Sequence, residues 1–137
     1  TKENRYPGAP SVTMQLIYNK PFKLQNKTIT PVEFYHGNIL IFGYRIGDFA
    51  YITDLKRIEP QEQQKLYGLE VLVINALRIE KHPTHINLAE ALALIEELKP
   101  KSAYLTHISH KLGFHAQVEK ELPAHVHLAY DGLKIEV

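Results

Sequence analysis

The first half of the chain alternates apolar and polar residues, which is the pattern of β-strands that are buried on one face. Thr28 to Tyr35 is the first such stretch, and Pro31 within it indicates an edge strand or a bulge, because proline has no N–H to donate to a neighbouring strand. Asn38 to Ile46 and Phe49 to Thr53 flank Gly47-Asp48, a two-residue turn that suits a hairpin. We therefore predict antiparallel strands here, preceded by a lead-in over residues 1 to 27.

After residue 59 the pattern changes to helices that alternate with short apolar runs. Pro60 can begin a helix and Gly68 can end it. Val71 to Ile74 is a continuous apolar run typical of a buried strand, whereas Leu88 to Leu98 carries apolar residues at helical spacing. Ala103 to Thr106 then reads as the next parallel strand. These elements predict a βαβ unit.

The ends of the later elements also carry signals. Asn87 and Glu90 have the spacing of a capping box at the start of the helix that ends before Pro100. A short helix is predicted over Phe114 to Leu122, and Asp131-Gly132 separates HLAY from LKIEV, which is typical of a hairpin. With no internal repeat, residues 1 to 137 are interpreted as a single α/β unit, a mixed sheet with flanking helices and a terminal hairpin.

Composition narrows the possible functions. The 137 residues are 45% hydrophobic, enough for a sizeable core, and contain no cysteine, which excludes disulfides and thiolate chemistry. Sixteen basic and 15 acidic residues give a net charge of +1, so nothing in the charge indicates nucleic acid or an anionic membrane as a partner. No apolar run approaches the roughly 20 residues of a membrane span, and no signal peptide is evident. We expect a soluble, cytoplasmic protein whose start at Thr1 has been trimmed, processed or cut from something longer.

Four polar residues follow predicted strands or precede a predicted helix. Asp54 follows FAYIT, His107 follows AYLT, His36 follows VEFY, and His85 lies in the loop after VLVIN. In α/β sheets ligands collect beyond the carboxyl ends of strands, so these groups can converge on one rim. A carboxylate with imidazoles suits a divalent transition metal. Taken one at a time, each histidine is more often a surface or hydrogen-bonded residue, and Asp54 can equally cap a turn.

The remaining histidines give weaker signals. His125 and His127 share one face of a strand, and a solvated polar face explains them. His82 lies three residues before His85, but Pro83 opposes a helix there, so the spacing is not helical chelation. A structural role fits His110 and His115, with His110 also a candidate to support His107 from behind; His82 is the other candidate for such a supporting role.

Several segments together carry a family resemblance. YHGNILIFGYRI, FAYITD, HPTHINLAEAL and AYLTHISH occur in this order and are followed by ELP and AYDGLKI. This series resembles the C-terminal half of metallo-β-lactamase-fold hydrolases over residues 28 to 137. Within that group it is most similar to the phosphoribosyl cyclic phosphodiesterases, and more distantly to the tRNA 3′-processing endonucleases. The resemblance implies part of an αββα sandwich.

The resemblance also implies residue roles. His36 matches a ligand of the first of two divalent metals, zinc or manganese; Asp54 matches the carboxylate that bridges both; His107 matches a ligand of the second. His85 matches a histidine that binds no metal and assists the departing oxygen. The implied activity is hydrolysis of a small cyclic or nucleotide-like phosphodiester. Two alternatives remain, a tRNA-processing type of nuclease and a metal-free binding module.

One part of the family pattern is absent from the sequence. No His-x-His-x-Asp-His motif occurs, although the family uses it upstream of the matched region for most metal ligands. We therefore expect that an N-terminal half is missing, that the isolated chain binds metal weakly and is inactive, and that it self-associates through apolar faces which the missing strands would cover.

Overall fold

The computed structural model describes residues 13 to 136, and these form one seven-stranded mixed sheet whose strands lie in sequence order. Strands β1 to β4 pair antiparallel and β4 to β7 pair parallel. The strands are β1 (Phe22–Leu24), β2 (Lys27–His36), β3 (Ile39–Ile46), β4 (Phe49–Ile52), β5 (Val71–Asn75), β6 (Ser102–Thr106) and β7 (Val126–Leu128). The predicted α/β class with a mixed sheet is confirmed.

In the described part of the chain, three α-helices connect the successive parallel strands β4 to β7. They are α1 (Pro60–Gln63), which continues as a 3-10 helix over Gln64–Leu66, α2 (Leu88–Leu98) and α3 (His115–Glu121), which follows a 3-10 helix over His110–Leu112. Helix α2 has the predicted capping box, in which the Glu90 N–H donates to Asn87 Oδ1 at 2.9 Å and the Asn87 N–H donates to Glu90 Oε2 at 2.8 Å. No helix among residues 13 to 136 is long and apolar enough to cross a membrane.

The core lies between one face of the sheet and the helices. Strand residues alternate between faces, and the side of β5 that carries Leu72 and Ile74 packs with Ala91 and Ile95 of α2 and Val118 of α3. The largest buried side chains belong to this cluster; they include Phe34, Ile52, Leu55, Leu66, Leu98 and Leu105. This packing fixes the carboxyl ends of β4, β5 and β6 relative to one another.

The opposite sheet face is apolar and open at β1 to β4. The cross-strand pairs Ile29–Ile46, Ile46–Phe49 and Tyr44–Tyr51 lie on this face. They line an open apolar groove together with residues from β1 and the segment before it, Ile17, Phe22 and Leu24. This set of eight residues is called the open sheet face below.

At Pro31, β2 pairs with β3 on one side and has no neighbouring strand on the other. Strand β1 pairs only with residues 27 to 29, and beyond them the outward backbone groups of β2 bind the segment after β4. Glu33 N–H donates to Glu62 Oε2 at 2.7 Å, and Tyr35 N–H donates to the Arg57 carbonyl at 2.8 Å. Pro31 points the same way, so its missing N–H costs no strand pairing, as an edge position predicts.

Two strand predictions need correction. The terminal hairpin is absent among the described residues, because the segment after Asp131-Gly132 forms no strand and β7 pairs in parallel with β6 instead. The Asp-Gly dipeptide does make a turn, but it has no antiparallel partner to join. Conversely, β1 lies inside the predicted lead-in, and it is joined to β2 by Gln25-Asn26 with Gln25 at φ 53°. Glutamine is an unusual residue for this left-handed position, so the turn gave no sequence signal.

Candidate metal centre

The four candidate residues meet at one edge of the sheet. His36 ends β2, Asp54 follows β4, His107 follows β6, and His85 lies in the loop between β5 and α2. Because β2 runs in the same direction as β4 to β6, their carboxyl ends share this edge. The His85 ring centroid is 4.5 Å from that of His36 and 4.8 Å from that of His107. These four residues are called the cluster below.

A buried amide holds the loop that carries Asp54. The side chain of Asn75, fully buried at the end of β5, accepts from the Leu55 N–H at 2.8 Å and donates to the Leu55 carbonyl at 3.1 Å. Asp54 itself has φ 66°, and His107 has φ 56°. Left-handed backbone costs free energy for residues other than glycine and occurs often at functional sites, where the surrounding structure holds it.

His36 is fixed in one tautomer. Its Nδ1 lies 3.2 Å from the Asp54 carbonyl oxygen and 3.1 Å from that of Thr84. Carbonyl oxygens only accept, so Nδ1 carries the hydrogen and Nε2 keeps its lone pair. The next residue, Gly37, has φ 58°, and a Cβ there would lie 3.0 Å from Thr84 Cγ2, which explains the glycine after this histidine. Nε2 of His36 is therefore available to a metal.

His85 lies at the centre of the cluster and is 9% exposed. Its Nε2 lies 3.1 Å from Asp54 Oδ1 and 3.1 Å from His107 Nε2, and His107 Nε2 lies 3.4 Å from the same Asp54 oxygen. A carboxylate oxygen and two imidazole nitrogens thus crowd within hydrogen-bonding distance. Such a set needs a shared proton or a cation among its lone pairs, which is the donor chemistry of a metal site.

His82 supports His85 from behind. The Thr84 N–H donates to His82 Nδ1 at 3.3 Å, so this nitrogen is an acceptor. It lies 3.2 Å from His85 Nδ1, which is also 2.9 Å from Thr84 Oγ1. Thr84 and His82 thus fix the orientation of the His85 ring, with Nε2 facing Asp54. His110, the other predicted supporting residue, makes no side-chain hydrogen bond to the cluster within residues 13 to 136.

The electrostatics of the cluster favour a charged aspartate and a neutral imidazole. Burial raises the pKa of Asp54, but hydrogen bonds from His85 and Thr53 and the electrostatic effect of His107 outweigh it, so the net pKa of Asp54 is below its usual value. Burial lowers the pKa of His85, and the nearby His107 and His36 add to this, against the opposing hydrogen bond with Asp54. Neutral imidazoles and a carboxylate are the forms that bind metals.

One ligand atom from each of His36, Asp54 and His85 lies within 4.8 Å of the other two. This grouping includes His85, to which the family resemblance gave a role without a metal. The same position suits a ligand or a proton donor facing the reaction. The predicted convergence of His36, Asp54, His85 and His107 is observed, and the role of each one stays a proposal.

Two residues that position the cluster were not singled out from the sequence. Asn75 follows the apolar run Val71 to Ile74 and has no role in the sequence-based prediction. A polar residue at the end of the fully buried strand VLVIN nevertheless indicates that its side chain makes specific hydrogen bonds. Thr84 lies between two histidines and contacts both through Oγ1, at 3.2 Å from His82 Nδ1 and 2.9 Å from His85 Nδ1. Its sequence context gave no comparable signal.

The family is shown by a match over most of the chain. Residues 2 to 108 match the model of the beta-lactamase superfamily domain. The chain belongs to the beta-lactamase superfamily. A solved structure described as a new diphosphatase from the PhnP family superposes with a TM-score of 0.89 at 40% sequence identity, covering 91% of this chain and 49% of that chain. The expected resemblance to the metallo-β-lactamase fold is thereby confirmed.

Two solved structures of lower sequence identity share the fold. Human tRNase Z, short form, superposes with a TM-score of 0.64 at 17% identity, covering 84% of this chain and 45% of that chain. Zinc-bound PqqB from Methylobacterium extorquens gives 0.66 at 15% identity, covering 89% of this chain and 55% of that one. The chain spans about half the length of each of these proteins.

A curated relative carries a different kind of name. A protein of Porphyromonas gingivalis (strain ATCC BAA-308 / W83) named octanoyltransferase is 35% identical over 135 residues. The alignment covers 97% of this chain but 27% of that protein. The superfamily unit described here thus corresponds to about a quarter of the relative.

Proposed function

We propose that the intact protein is a metal-dependent hydrolase that cleaves a phosphodiester at the cluster. The observation that carries the proposal is the convergence of an aspartate and three histidines at the carboxyl edge of the sheet, with His85 and His107 both in contact with one Asp54 oxygen. In α/β proteins this edge is where ligands bind. Clustered titratable groups with shifted pKa values at such an edge are candidates for catalysis.

The donor set fits divalent metal ions. In the proposed site His36, through Nε2, and His107 would hold one metal each, and Asp54 would bridge the two. Zinc or manganese is the expected metal, since imidazole and carboxylate suit both. Bound there, a pair of such ions would lower the pKa of water and neutralise charge on the phosphoryl group. Further ligands from outside this chain belong to the proposal, and the isolated chain is proposed to be inactive.

The chain's own residues would then act around the phosphoryl group. His85 lies against Asp54 and His107, so its Nε2 would face the oxygen that leaves, where a proton or a hydrogen bond stabilises the developing negative charge. His82 and Thr84 would hold the His85 ring at the angle that this requires. Asn75 would keep the Asp54 loop in place.

The most informative comparison supports phosphoryl chemistry. The structure that is 40% identical is described as a diphosphatase, and hydrolysis of a diphosphate and of a phosphodiester both break a P–O bond at an anionic phosphorus centre. A cyclic phosphodiester on a small sugar or nucleotide remains the proposed substrate, and a diphosphate is included in the test. The name octanoyltransferase supports no acyl transfer here, because the matched unit is 27% of that protein.

A nuclease that processes tRNA is the second candidate, since human tRNase Z shares the fold. A net charge of +1 on this chain gives no evident surface for a polyanion, and the phosphate backbone dominates RNA affinity. Turnover of a 2′,3′-cyclic nucleotide against that of a precursor tRNA separates the two. Faster cleavage of the precursor tRNA would favour the nuclease.

The test measures hydrolysis and metal content of the intact protein together. Asp54→Ala and His36→Ala should abolish hydrolysis of bis(4-nitrophenyl) phosphate, a cyclic nucleotide or a diphosphate and should lower bound zinc or manganese. His85→Ala should reduce kcat by about 100-fold or more, as for loss of a proton donor, with metal content unchanged. His125→Ala, a half-buried histidine of the same chain, is the control.

Three results would contradict the proposal. Metal loss in His85→Ala would make His85 a ligand and would remove its proposed role toward the leaving oxygen. The proposal of a metal-dependent hydrolase would be wrong if the active wild-type protein held no metal, or if it hydrolysed none of the three substrate types. The second result would favour the metal-free binding module.

A further inference from the structure

A cleft opens beside the cluster at the carboxyl ends of β6 and β7. Its volume is about 250 Å³, and its lining residues come from the ends of both strands: Thr106, His107, Ile108, Ala129, Tyr130 and Asp131. His107 thus belongs to the cluster and to the wall of this cleft.

A second, aromatic space lies on the other side of Tyr130, which lines both. This second space, of about 270 Å³, also has Tyr130 in its wall, together with Tyr104, His115 and His127. The rings of His115 and Tyr130 lie at 6.3 Å and 78° to each other, and those of Tyr104 and His127 at 5.4 Å. Four rings around one small space provide faces on which a flat heterocycle can stack.

A tight turn places the residues that separate the two spaces. The Leu133 N–H donates to the Tyr130 carbonyl at 3.1 Å, and Gly132 has φ 89°, which glycine adopts without strain. The Ala129 N–H donates to the Leu105 carbonyl at 2.8 Å and anchors the start of the turn to β6. Tyr130 is 60% exposed, so its ring face is accessible.

Asp131 provides a hydrogen-bond acceptor in the wall of the cleft. Its carboxylate makes no hydrogen bond or ion pair with any residue from 13 to 136. A carboxylate accepts hydrogen bonds from a pair of neighbouring hydroxyls but repels phosphate, so this position suits a sugar and opposes a second phosphate. The cleft thus has His107 of the cluster, the Asp131 carboxylate and the Tyr130 ring in its wall, and Tyr130 also borders the aromatic space.

We propose that this cleft binds the nucleoside part of the substrate, with the ribose hydroxyls that the phosphate does not esterify at Asp131 and the base against Tyr130 and His115. A phosphate at the cluster, a ribose beside Asp131 and a base at the rings would then each meet a group of suitable chemistry. The placement of the phosphate rests on the proposed function, whereas the contacts of the ribose and the base rest on the cleft itself. Through this cleft the protein would recognise the nucleoside as well as the phosphate.

The experiment compares three small probes by calorimetry on the intact, metal-loaded protein. Adenosine 5′-monophosphate should bind about 10-fold more tightly than ribose 5-phosphate, which has the same sugar and phosphate but no base. Tyr130→Ala should remove this preference, and Tyr130→Phe should keep it. Asp131→Ala should weaken binding of adenosine 5′-monophosphate about fivefold. The same substitution should leave the affinity for the 2′,3′-dideoxy analogue of this nucleotide unchanged. Tyr67→Ala, another exposed tyrosine, is the matched control and should change nothing.

Equal affinity for adenosine 5′-monophosphate and ribose 5-phosphate would overturn the proposal, as would no binding of either or a base preference that survives Tyr130→Ala. Hydrolysis of bis(4-nitrophenyl) phosphate tests the proposed function separately. If that diester is cleaved but the base preference is absent, only the nucleoside cleft is wrong. If the preference is present and no phosphodiester is cleaved, the hydrolase is wrong and the cleft is a nucleotide-binding site.

Discussion

Asn75 connects the end of β5 to the loop that carries Asp54. Its amide is fully buried and satisfies both the N–H and the carbonyl of Leu55, the residue directly after the aspartate. Because Asp54 has a left-handed backbone conformation, its side-chain direction depends on how firmly the following residue is held. The free energy of these two hydrogen bonds therefore serves both stability and the geometry of the cluster.

We predict that Asn75→Ala destabilises the protein by roughly 1 to 3 kcal/mol, since it leaves the buried Leu55 N–H without a partner. The Leu55 carbonyl loses one of two donors and keeps the Ile86 N–H at 2.8 Å. Urea unfolding followed by circular dichroism measures this. Metal affinity of the intact protein should fall as well, because Asp54 loses its support. Asn75→Asp keeps the acceptor for the Leu55 N–H and should be less harmful. An Asn75→Ala protein of wild-type stability and metal affinity would show that the loop is held by other contacts.

The identities of the cluster residues could be predicted, but their geometry could not. His36, Asp54, His85 and His107 stand at strand or helix ends, which periodicity locates, and the family motifs then order them. Nothing in the local sequence around Asp54 or His107 indicates a positive φ, because glycine or asparagine is the usual residue there. The support from Asn75 could not be predicted for another reason, because its partner Leu55 is 20 residues away in sequence.

At the scale of elements, the side chain of Glu62 attaches helix α1 to strand β2. Glu62 accepts from Lys65 Nζ at 2.6 Å, from the Glu33 N–H of β2 at 2.7 Å and from Asn19 Nδ2 at 2.9 Å. Burial raises the pKa of Glu62, but the hydrogen bonds from these three donors outweigh this effect, so the net pKa lies below its usual value. Lys65 Nζ also donates to the Pro31 carbonyl at 3.1 Å, which completes the cover of this edge of β2.

The sign of the pH effect follows from the lowered pKa. The ionised carboxylate of Glu62 is favoured in the folded state, so its contribution is present above the unfolded pKa of about 4.5 and is lost as pH falls through the folded value. We predict that Glu62→Gln lowers the free energy of unfolding at pH 7 by roughly 1 to 2 kcal/mol. The difference from wild type should shrink below about pH 4.5.

Urea unfolding curves at several pH values, with the exposed Glu96→Gln on α2 as the control, measure this difference. A Glu62→Gln deficit that stays constant from pH 7 to pH 3 would mean that shape, rather than charge, is what the contact requires.

The elements show why some boundaries could be predicted and others could not. Helix α2 begins and ends where the apolar spacing, the Asn87 cap and Pro100 place it, because all three signals are local. The expected hairpin at Asp131-Gly132 was wrong because a turn dipeptide says nothing about its partners; β7 has only three residues, and its partner is β6, more than 20 residues earlier. Strand pairing over long separations is decided by packing, which the sequence pattern does not contain.

At the scale of the whole molecule, the two faces of the sheet are unequal. One face is covered by α2 and α3, and the open sheet face leaves Leu24 at 63% and Tyr51 at 43% exposure. Contiguous apolar surface of this kind marks an interaction site in soluble proteins. In the intact protein we expect another layer of structure to cover it, and in the isolated chain a second copy.

We predict that the isolated 137-residue chain associates in a concentration-dependent way through the open sheet face. Replacing Ile46 and Tyr51 together with lysine places two like charges on that face, so it should shift light scattering and sedimentation toward the monomer at the same protein concentration. Phe114→Lys is the matched control, since Phe114 is 78% exposed and lies outside this face. It should leave association unchanged. A wild-type chain that stays monodisperse and monomeric at high concentration, with cooperative unfolding, would mean that the open face is stable in water as it stands.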